Sequence, residues 1–354
     1  MTGSGRAAVW VLLGPHKGDN DQVLALAEAL GLPFRPIQLR YRWFAHLPAV
    51  FRTMSLHQLA GDCRGEIRPP WPSLVLGIGQ RSAPVARYVQ RASGGRTKTV
   101  RLGDPMVSHR LFDLVITTTQ YAVRDADNVL RLPITITNQN AVRPADAEKQ
   151  WLAAFPRPRR LLVVGGKTSL WRFDESVIGD TLTSLQQRAS AEGGSVLAVT
   201  SPRTGKRHLA AARSLLGEAA VVNDDFPRYG TLLNAVDEIH VTGDSVSMLS
   251  DAVASGKPVG LVPLERDLPG NFVRWAGGVR GRPFRVRNLE RFWSDLQARG
   301  LVGTIEQPRS GKLEMSPTDI AVAAVRDLLD SEVPARTFSR SGAATGKVPE
   351  PIPL

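Results

Sequence analysis

Apolar positions along the chain repeat with two alternating periods. Short runs rich in Val, Ile and Leu occur at Ala8–Leu13, Leu74–Ile78, Lys98–Leu102 and Leu114–Thr117. A second group follows at Arg160–Val164, Ser195–Thr200, Ala220–Val222, Glu238–Thr242 and Val259–Val262. Helical spacing fills the gaps between them. Val23, Leu26, Ala27 and Leu30 stand at i, i+3, i+4 and i+7, with Asp19 and Asn20 as candidate N-caps and Gly31 as the stop. Another helix runs from Asp244 or Ser245 through Met248, Leu249, Ala252 and Val253 to Gly256, and Lys257-Pro258 leads into the next strand. Strands alternating with helices in this way predict βαβ units and parallel sheets.

Between the two strand groups, Arg143 to Arg159 is rich in Pro, Arg and Ala, and reads as a linker. The expected fold class is therefore α/β, with two Rossmann-like parallel-sheet domains facing a cleft. Residues 1–150 would form the N-terminal domain and 151–330 the C-terminal one. A Ser-, Gly-, Ala- and Pro-rich stretch at 331–354 has too few core formers to fold and is expected to be a disordered tail. A length of 354 residues suits two cores better than one.

Composition adds limits rather than a function. With 42% hydrophobic and 22% charged residues, most of the chain can bury a core. Cys63 is the one cysteine, which fits a reducing compartment and leaves no cysteine-based zinc site. The run Ala7–Leu13 lacks a small-residue cleavage site and reads as a first strand. No stretch approaches the roughly 18 apolar residues of a membrane-spanning helix, so a cytoplasmic chain, soluble or peripheral to the membrane, is expected. A net charge of +12 draws anions of every kind. Its arginines are scattered without a nucleic-acid motif, so no nucleic-acid partner is expected. Residues 34–59 mix Tyr41, Trp43, Phe44 and Phe51 with Arg35, Arg40, Arg42 and Arg52. That pattern suits either a membrane-facing surface or an ordinary amphipathic strand and helix.

The segment from Glu238 to Gly256 carries the most chemistry. A strand ends at Thr242, Gly243-Asp244-Ser245 makes the turn, and a helix follows. Small hydroxylic residues there let backbone approach a phosphate closely, and a carboxylate one turn on, Asp251, can accept both hydroxyls of a ribose. The same residues equally describe a well-capped helix. His240 lies inside the strand and reads as packed. No His or carboxylate cluster has metal-ligand spacing, and neither a nucleophile elbow nor a Walker loop is present, so no metal or cofactor is expected.

This segment resembles the signature of the Elm-type family, the plant mitochondrial-fission proteins and their bacterial relatives classed with glycosyltransferases. The similarity extends to Gly18-Asp19-Asn20, Gly103-Asp104-Pro105, Asn128-Val129-Leu130, the Gly165-Gly166 loop, Ser201 with Arg203-Thr204, and Thr242 through Met248, spanning roughly residues 8 to 330. The second half is also similar to the donor domain of the enzymes that add N-acetylglucosamine to peptidoglycan lipid precursors. The chain departs from the Elm-type pattern in having Gln120-Tyr121 where that family has His-Asp, and Pro202 where Arg is common.

The resemblance implies a GT-B-like glycosyltransferase that moves a sugar from a nucleotide-diphosphate donor, as co-substrate, to a lipid- or glycan-linked cell-envelope acceptor, without a metal. Its donor site would comprise Gly165, Gly166, Lys167, Ser201, Arg203, Thr204, Thr242, Asp244, Ser245, Ser247, Met248 and Asp251. Helix N-termini and cations would stabilise the leaving diphosphate. Asp19 or His16 would be the base for the acceptor hydroxyl, with Asp19 falling where the peptidoglycan enzymes carry a His. Lys167 and Arg203 also read as plain surface cations, and Asp19 as a plain N-cap. The resemblance leaves two other functions open: a non-catalytic adaptor of the fission type, and a sugar-nucleotide epimerase.

Overall fold

The computed structural model describes residues 8–42, 56–137, 143–168, 170–267 and 287–331. Trp43, Phe44, Phe51 and Arg52 of the aromatic-basic stretch, and the expected tail from residue 332, lie outside them.

The first lobe is a six-stranded sheet ordered β2-β1-β3-β4-β5-β6, with every neighbouring pair parallel. Its strands are β1 (Val9–Leu13), β2 (Phe34–Gln38), β3 (Leu74–Ile78), β4 (Lys98–Leu102), β5 (Leu114–Thr117) and β6 (Val129–Arg131). Parallel strands require crossovers, supplied here by α1 (Lys17–Leu30), the short α2 (Gly61–Glu66) and α3 (Ala83–Ala92). Because β1 sits between β2 and β3, the helices fall on opposite faces. α1 packs Val23, Leu26 and Leu30 with Val9, Val11 and Leu76, whereas α3 packs Val85 and Val89 with Trp10, Leu12 and Val75. Each fully buried Val or Leu among them contributes roughly 1.5–3 kcal/mol.

The second lobe repeats the plan in five parallel strands ordered β10-β9-β7-β11-β12. They are β7 (Arg159–Val164), β9 (Ser195–Thr200), β10 (Val221–Val222), β11 (Glu238–Thr242) and β12 (Val259–Val262). α5 (Glu175–Glu192) and α6 (Lys206–Leu216) cover one face. α7 (Tyr229–Ala235), α8 (Val246–Ala254) and α9 (Leu289–Ala298) cover the other. A two-stranded antiparallel pair, β8 (Trp171–Arg172) with β13 (Glu265–Arg266), lies beside it.

Three local expectations are corrected. The stretch 143–159 is not irregular throughout, since α4 (Asp146–Ala153) forms within it. Glu148 of α4 closes a capping box on Ala145 N–H and accepts from the Arg228 guanidinium, which fastens α4 to the second lobe. The N-cap of α1 is His16 rather than Asp19 or Asn20. Asn20 instead pins the preceding turn, its Oδ1 accepting from Gly14 N–H at 2.8 Å and its amide donating to Gly14 O at 2.9 Å. Finally, α10 (Pro317–Asp330) does not join the second core. It returns to the first lobe, burying Ala321, Val322 and Val325 against the α1 face of the sheet.

Candidate functional site

In open parallel sheets a crevice forms outside the carboxyl ends of two adjacent strands whose crossovers leave in opposite directions. In the second lobe those strands are β7, followed by α5 on one face, and β11, followed by α8 on the other. The loops leaving them are Gly165-Gly166 and Gly243-Asp244-Ser245, the two segments singled out in the sequence.

These loops touch directly. Gly165 N–H donates to Thr242 Oγ1 at 2.8 Å, Thr242 Oγ1 donates to Asp244 Oδ1 at 2.7 Å, and Gly166 N–H donates to Asp244 Oδ2 at 2.9 Å. A Cβ on Gly165 would fall on the Asp244 carboxylate, and one on Gly166 on the backbone of Arg203, so only glycine lets the loops close to this distance. The Gly165 and Gly166 amides therefore serve the protein's own side chains instead of facing outward. Thr204 braces the same loop, its hydroxyl lying 3.1 Å from Val164 O and accepting from Ser201 N–H at 2.9 Å. Ser201 Oγ in turn accepts from Arg203 N–H. Burial pushes the Asp244 carboxyl up, opposed by the Gly166 and Thr242 hydrogen bonds and by Arg203, whose Nη2 lies 3.3 Å away. The Arg203 side chain is half-exposed and Lys167 is exposed, both beside the crevice.

The outward-facing donors belong to α8. Ser245 is its N-cap, with Oγ accepting from Met248 N–H at 3.4 Å and lying 3.2 Å from Ser247 Oγ. First-turn amides have no partner within a helix, so the amino end of α8 presents N–H groups and two hydroxyls to the crevice. Trp293 holds the turn from behind, donating from Nε1 to Gly243 O at 3.1 Å. No feature of the sequence marked Trp293 as its partner.

Across the cleft, the amino end of α1 faces the amino end of α8. A Cβ on Gly18 would lie 3.4 Å from Ser247 Oγ. Asp251 points toward Asp21 and Lys17 of the first lobe, and burial, then Asp21, push its carboxyl up to about 7. Beside it the Tyr229 hydroxyl is buried without a hydrogen-bond partner among the described residues, its ionisation opposed by burial and by Asp251. Asp19 is raised by burial and held down by His16 and by Arg287 of the second lobe. His16 itself is exposed at the mouth of the cleft. His240, by contrast, is fully buried 2.5 Å from Glu238 Oε1, away from the crevice.

The unusual Gln120-Tyr121 pair lies where the lobes meet. Gln120 Oε1 accepts from Arg287 Nε at 2.9 Å and Gln120 O from Asn288 N–H at 2.8 Å. Tyr121 packs on Gly103, and its hydroxyl is raised by burial, opposed by Arg287. Thr135 N–H, which donates to Ser250 Oγ at 3.1 Å, makes another bridge between lobes.

The family model described as mitochondrial fission ELM1 matches residues 17–329, and the chain belongs to that family. No curated protein matches the sequence. Among solved structures, the UDP-GlcNAc 2-epimerase of Methanocaldococcus jannaschii is similar at 11% identity and a TM-score of 0.52, over 90% of this chain and 99% of that one. The UDP-GlcNAc 2-epimerase of Neisseria meningitidis, solved bound to UDP-GlcNAc, is similar at 11% identity and a TM-score of 0.50, over 91% and 99%. At such identity the likeness concerns the fold, which is GT-B-like as expected. Among the described residues no helix is long and apolar enough to cross a membrane.

Proposed function

We propose that this family member is a glycosyltransferase that binds a nucleotide-diphosphate sugar in the second lobe and transfers the sugar to an acceptor held by the first. The observation that carries the reading is the amino end of α8 at the β7/β11 crevice, where Ser245 caps the Met248 amide and leaves those of Val246 and Ser247 without a partner inside the helix, facing the amino end of α1. The Val246 and Ser247 amides and the Ser245 and Ser247 hydroxyls would hold the diphosphate, with Arg203 and Lys167 balancing its charge as the glycosidic bond breaks. Gly165, Gly166, Ser201, Thr204, Thr242 and Asp244 would act behind that contact, Asp244 by aiming Arg203. Asp251, beside Met248 on α8, would accept ribose hydroxyls. Asp19 would take the proton from the acceptor hydroxyl, since burial raises its basicity while it stays within reach of the cleft. No metal is required for this scheme. The acceptor would be a cell-envelope lipid or glycan, met by a cytoplasmic chain peripheral to the inner membrane face.

Calorimetric titration with uridine, guanosine and cytidine diphosphates and their sugars tests the reading. Binding of one of them, abolished by Ser247→Asp, is expected; no binding of any at millimolar concentration would overturn it.

A further inference from the structure

The first lobe has a crevice of its own, at the carboxyl ends of β1 and β3, bounded by the loop Gly79-Gln80-Arg81-Ser82 and the amino end of α3. Its electrostatics are unusual. Arg101 of β4 is fully buried, and its guanidinium lies against Gly77 of β3, where a Cβ would collide with Nη1. Its Nη2 donates to Gly79 O and to Ser82 Oγ at 2.8 Å, so the group is aimed at the loop and at the N-cap of α3. Among the described residues Nε and Nη1 have no hydrogen-bond partner, and the guanidinium faces the Phe112 ring, with Cζ 5.7 Å from its centroid, rather than a carboxylate.

A buried charge without a counter-charge is costly, and proteins usually pair it. Here the paired state is also missing from the helix above. Ser82 donates its hydroxyl to Ile78 O and receives Arg101, so it does not cap α3, whose first-turn amides keep no side-chain partner. Pro84 removes one N–H but leaves those of Ala83 and Val85. The guanidinium and the helix dipole thus add positive potential at the same loop.

We propose that this crevice binds a phosphate or diphosphate group of the acceptor, at the amino end of α3 and over the buried charge of Arg101. The anion would be held by the Ala83 and Val85 amides and the 79–82 loop. Arg101 would not touch it, and acts as a positioning residue that supplies the counter-charge from beneath. The anion site stands on its own geometry, whereas its assignment to the acceptor rests on the transferase reading.

The test is calorimetric titration of the full chain with inorganic pyrophosphate. To silence the second-lobe site, it is done in the Ser247→Asp background, then with Arg101→Gln or Gln80→Glu added. Gln80 is exposed, so its substitution places a carboxylate at the loop without disturbing the core, and it decides the matter even if Arg101→Gln fails to fold. One pyrophosphate is expected to bind in the Ser247→Asp protein, with affinity falling at least tenfold on Gln80→Glu. No binding in the Ser247→Asp protein, or binding unaltered by Gln80→Glu, overturns the site. Farnesyl diphosphate and glucose 1-phosphate separate the sources: tighter binding of either than of pyrophosphate supports an acceptor role and says whether lipid or sugar carries the anion. Weaker binding of both overturns the acceptor assignment. If nucleotide sugars fail to bind while pyrophosphate still responds to Gln80→Glu, the transferase reading fails and the anion site remains.

Discussion

Ser247 Oγ stands opposite Gly18, 3.4 Å from where a Cβ on that glycine would lie, so the first turns of α8 and α1 face each other across the cleft. At that distance a methyl group makes ordinary contact, whereas a longer side chain reaches into the cleft beside Ser247. Gly18→Ala should therefore stabilise the protein by about 0.5–1 kcal/mol, the usual gain for alanine over glycine in a helix. Gly18→Leu should leave the melting temperature close to wild type but weaken nucleotide-diphosphate binding several-fold. Thermal melts beside calorimetry check both, and unchanged binding in Gly18→Leu would count against ligand entry at this point.

Gly165→Ala should be severe. The added methyl would overlap the Asp244 carboxylate, which is fully buried and anchored by Thr242 and Gly166. Overpacking of this kind costs typically about 1–3 kcal/mol, and an extra loss is expected from displacing a buried carboxylate. Urea denaturation reads the change as a lower midpoint with an unchanged slope.

Asp251 predicts a pH dependence of stability. Its carboxyl is pushed up to about 7 in the folded protein, mainly by burial. Between about pH 4 and 7 it stays protonated when folded but ionises when unfolded, so its favourable effect is present at low pH and is lost as pH rises through 7. Asp251→Asn should match wild type near pH 4 and melt at a higher temperature near pH 8. Identical melting curves across that range would contradict the placement of Asp251.

Glu148 predicts the opposite slope. The Arg228 side chain holds its carboxyl well below the usual carboxylate range, aided by Ala145 N–H. Stability from this pair is present above the ordinary glutamate range and is lost as pH falls. Glu148→Gln should lower the melting temperature at pH 7, with the gap to wild type narrowing toward pH 3.

Arg203→Ala separates ligand binding from folding. Because its side chain is half-exposed, removal should move the melting temperature little. Affinity for a nucleoside diphosphate should nevertheless fall about tenfold, the effect of losing a charge-assisted hydrogen bond worth roughly 1.5–3 kcal/mol. A transferase predicts that loss, whereas an adaptor using the same frame would work unimpaired.

The sheets were legible because buried parallel strands are near-continuous runs of Val, Ile and Leu, which no helix period imitates. β1, β3, β4, β5, β9, β11 and β12 fall within a residue of where those runs place them. β2 was obscured by Pro36 and by its edge position, and β6 by its three-residue length. The loops of the second crevice were legible from Gly, Asp and Ser beside strand ends. What they bond to was not, because the choice between an outward amide and one taken by Asp244 depends on how β7 and β11 sit side by side. Arg101 was hidden for a related reason. In Lys98-Thr-Val-Arg-Leu102 it reads as a solvent-facing position, and only the pairing of Gly77 with Arg101 reveals the room for a buried guanidinium.

α10 leaves the second lobe and finishes on the first, so the polypeptide passes between the lobes twice. The second crossing ties the last helix of the chain to the first core, so the first lobe's apolar wall is completed by residues that follow the whole of the second lobe. It also follows that a fragment ending at residue 150 would leave bare the apolar wall that Ala321, Val322 and Val325 cover. Such a half-molecule should aggregate, while one to which α10 is spliced back should stay in solution.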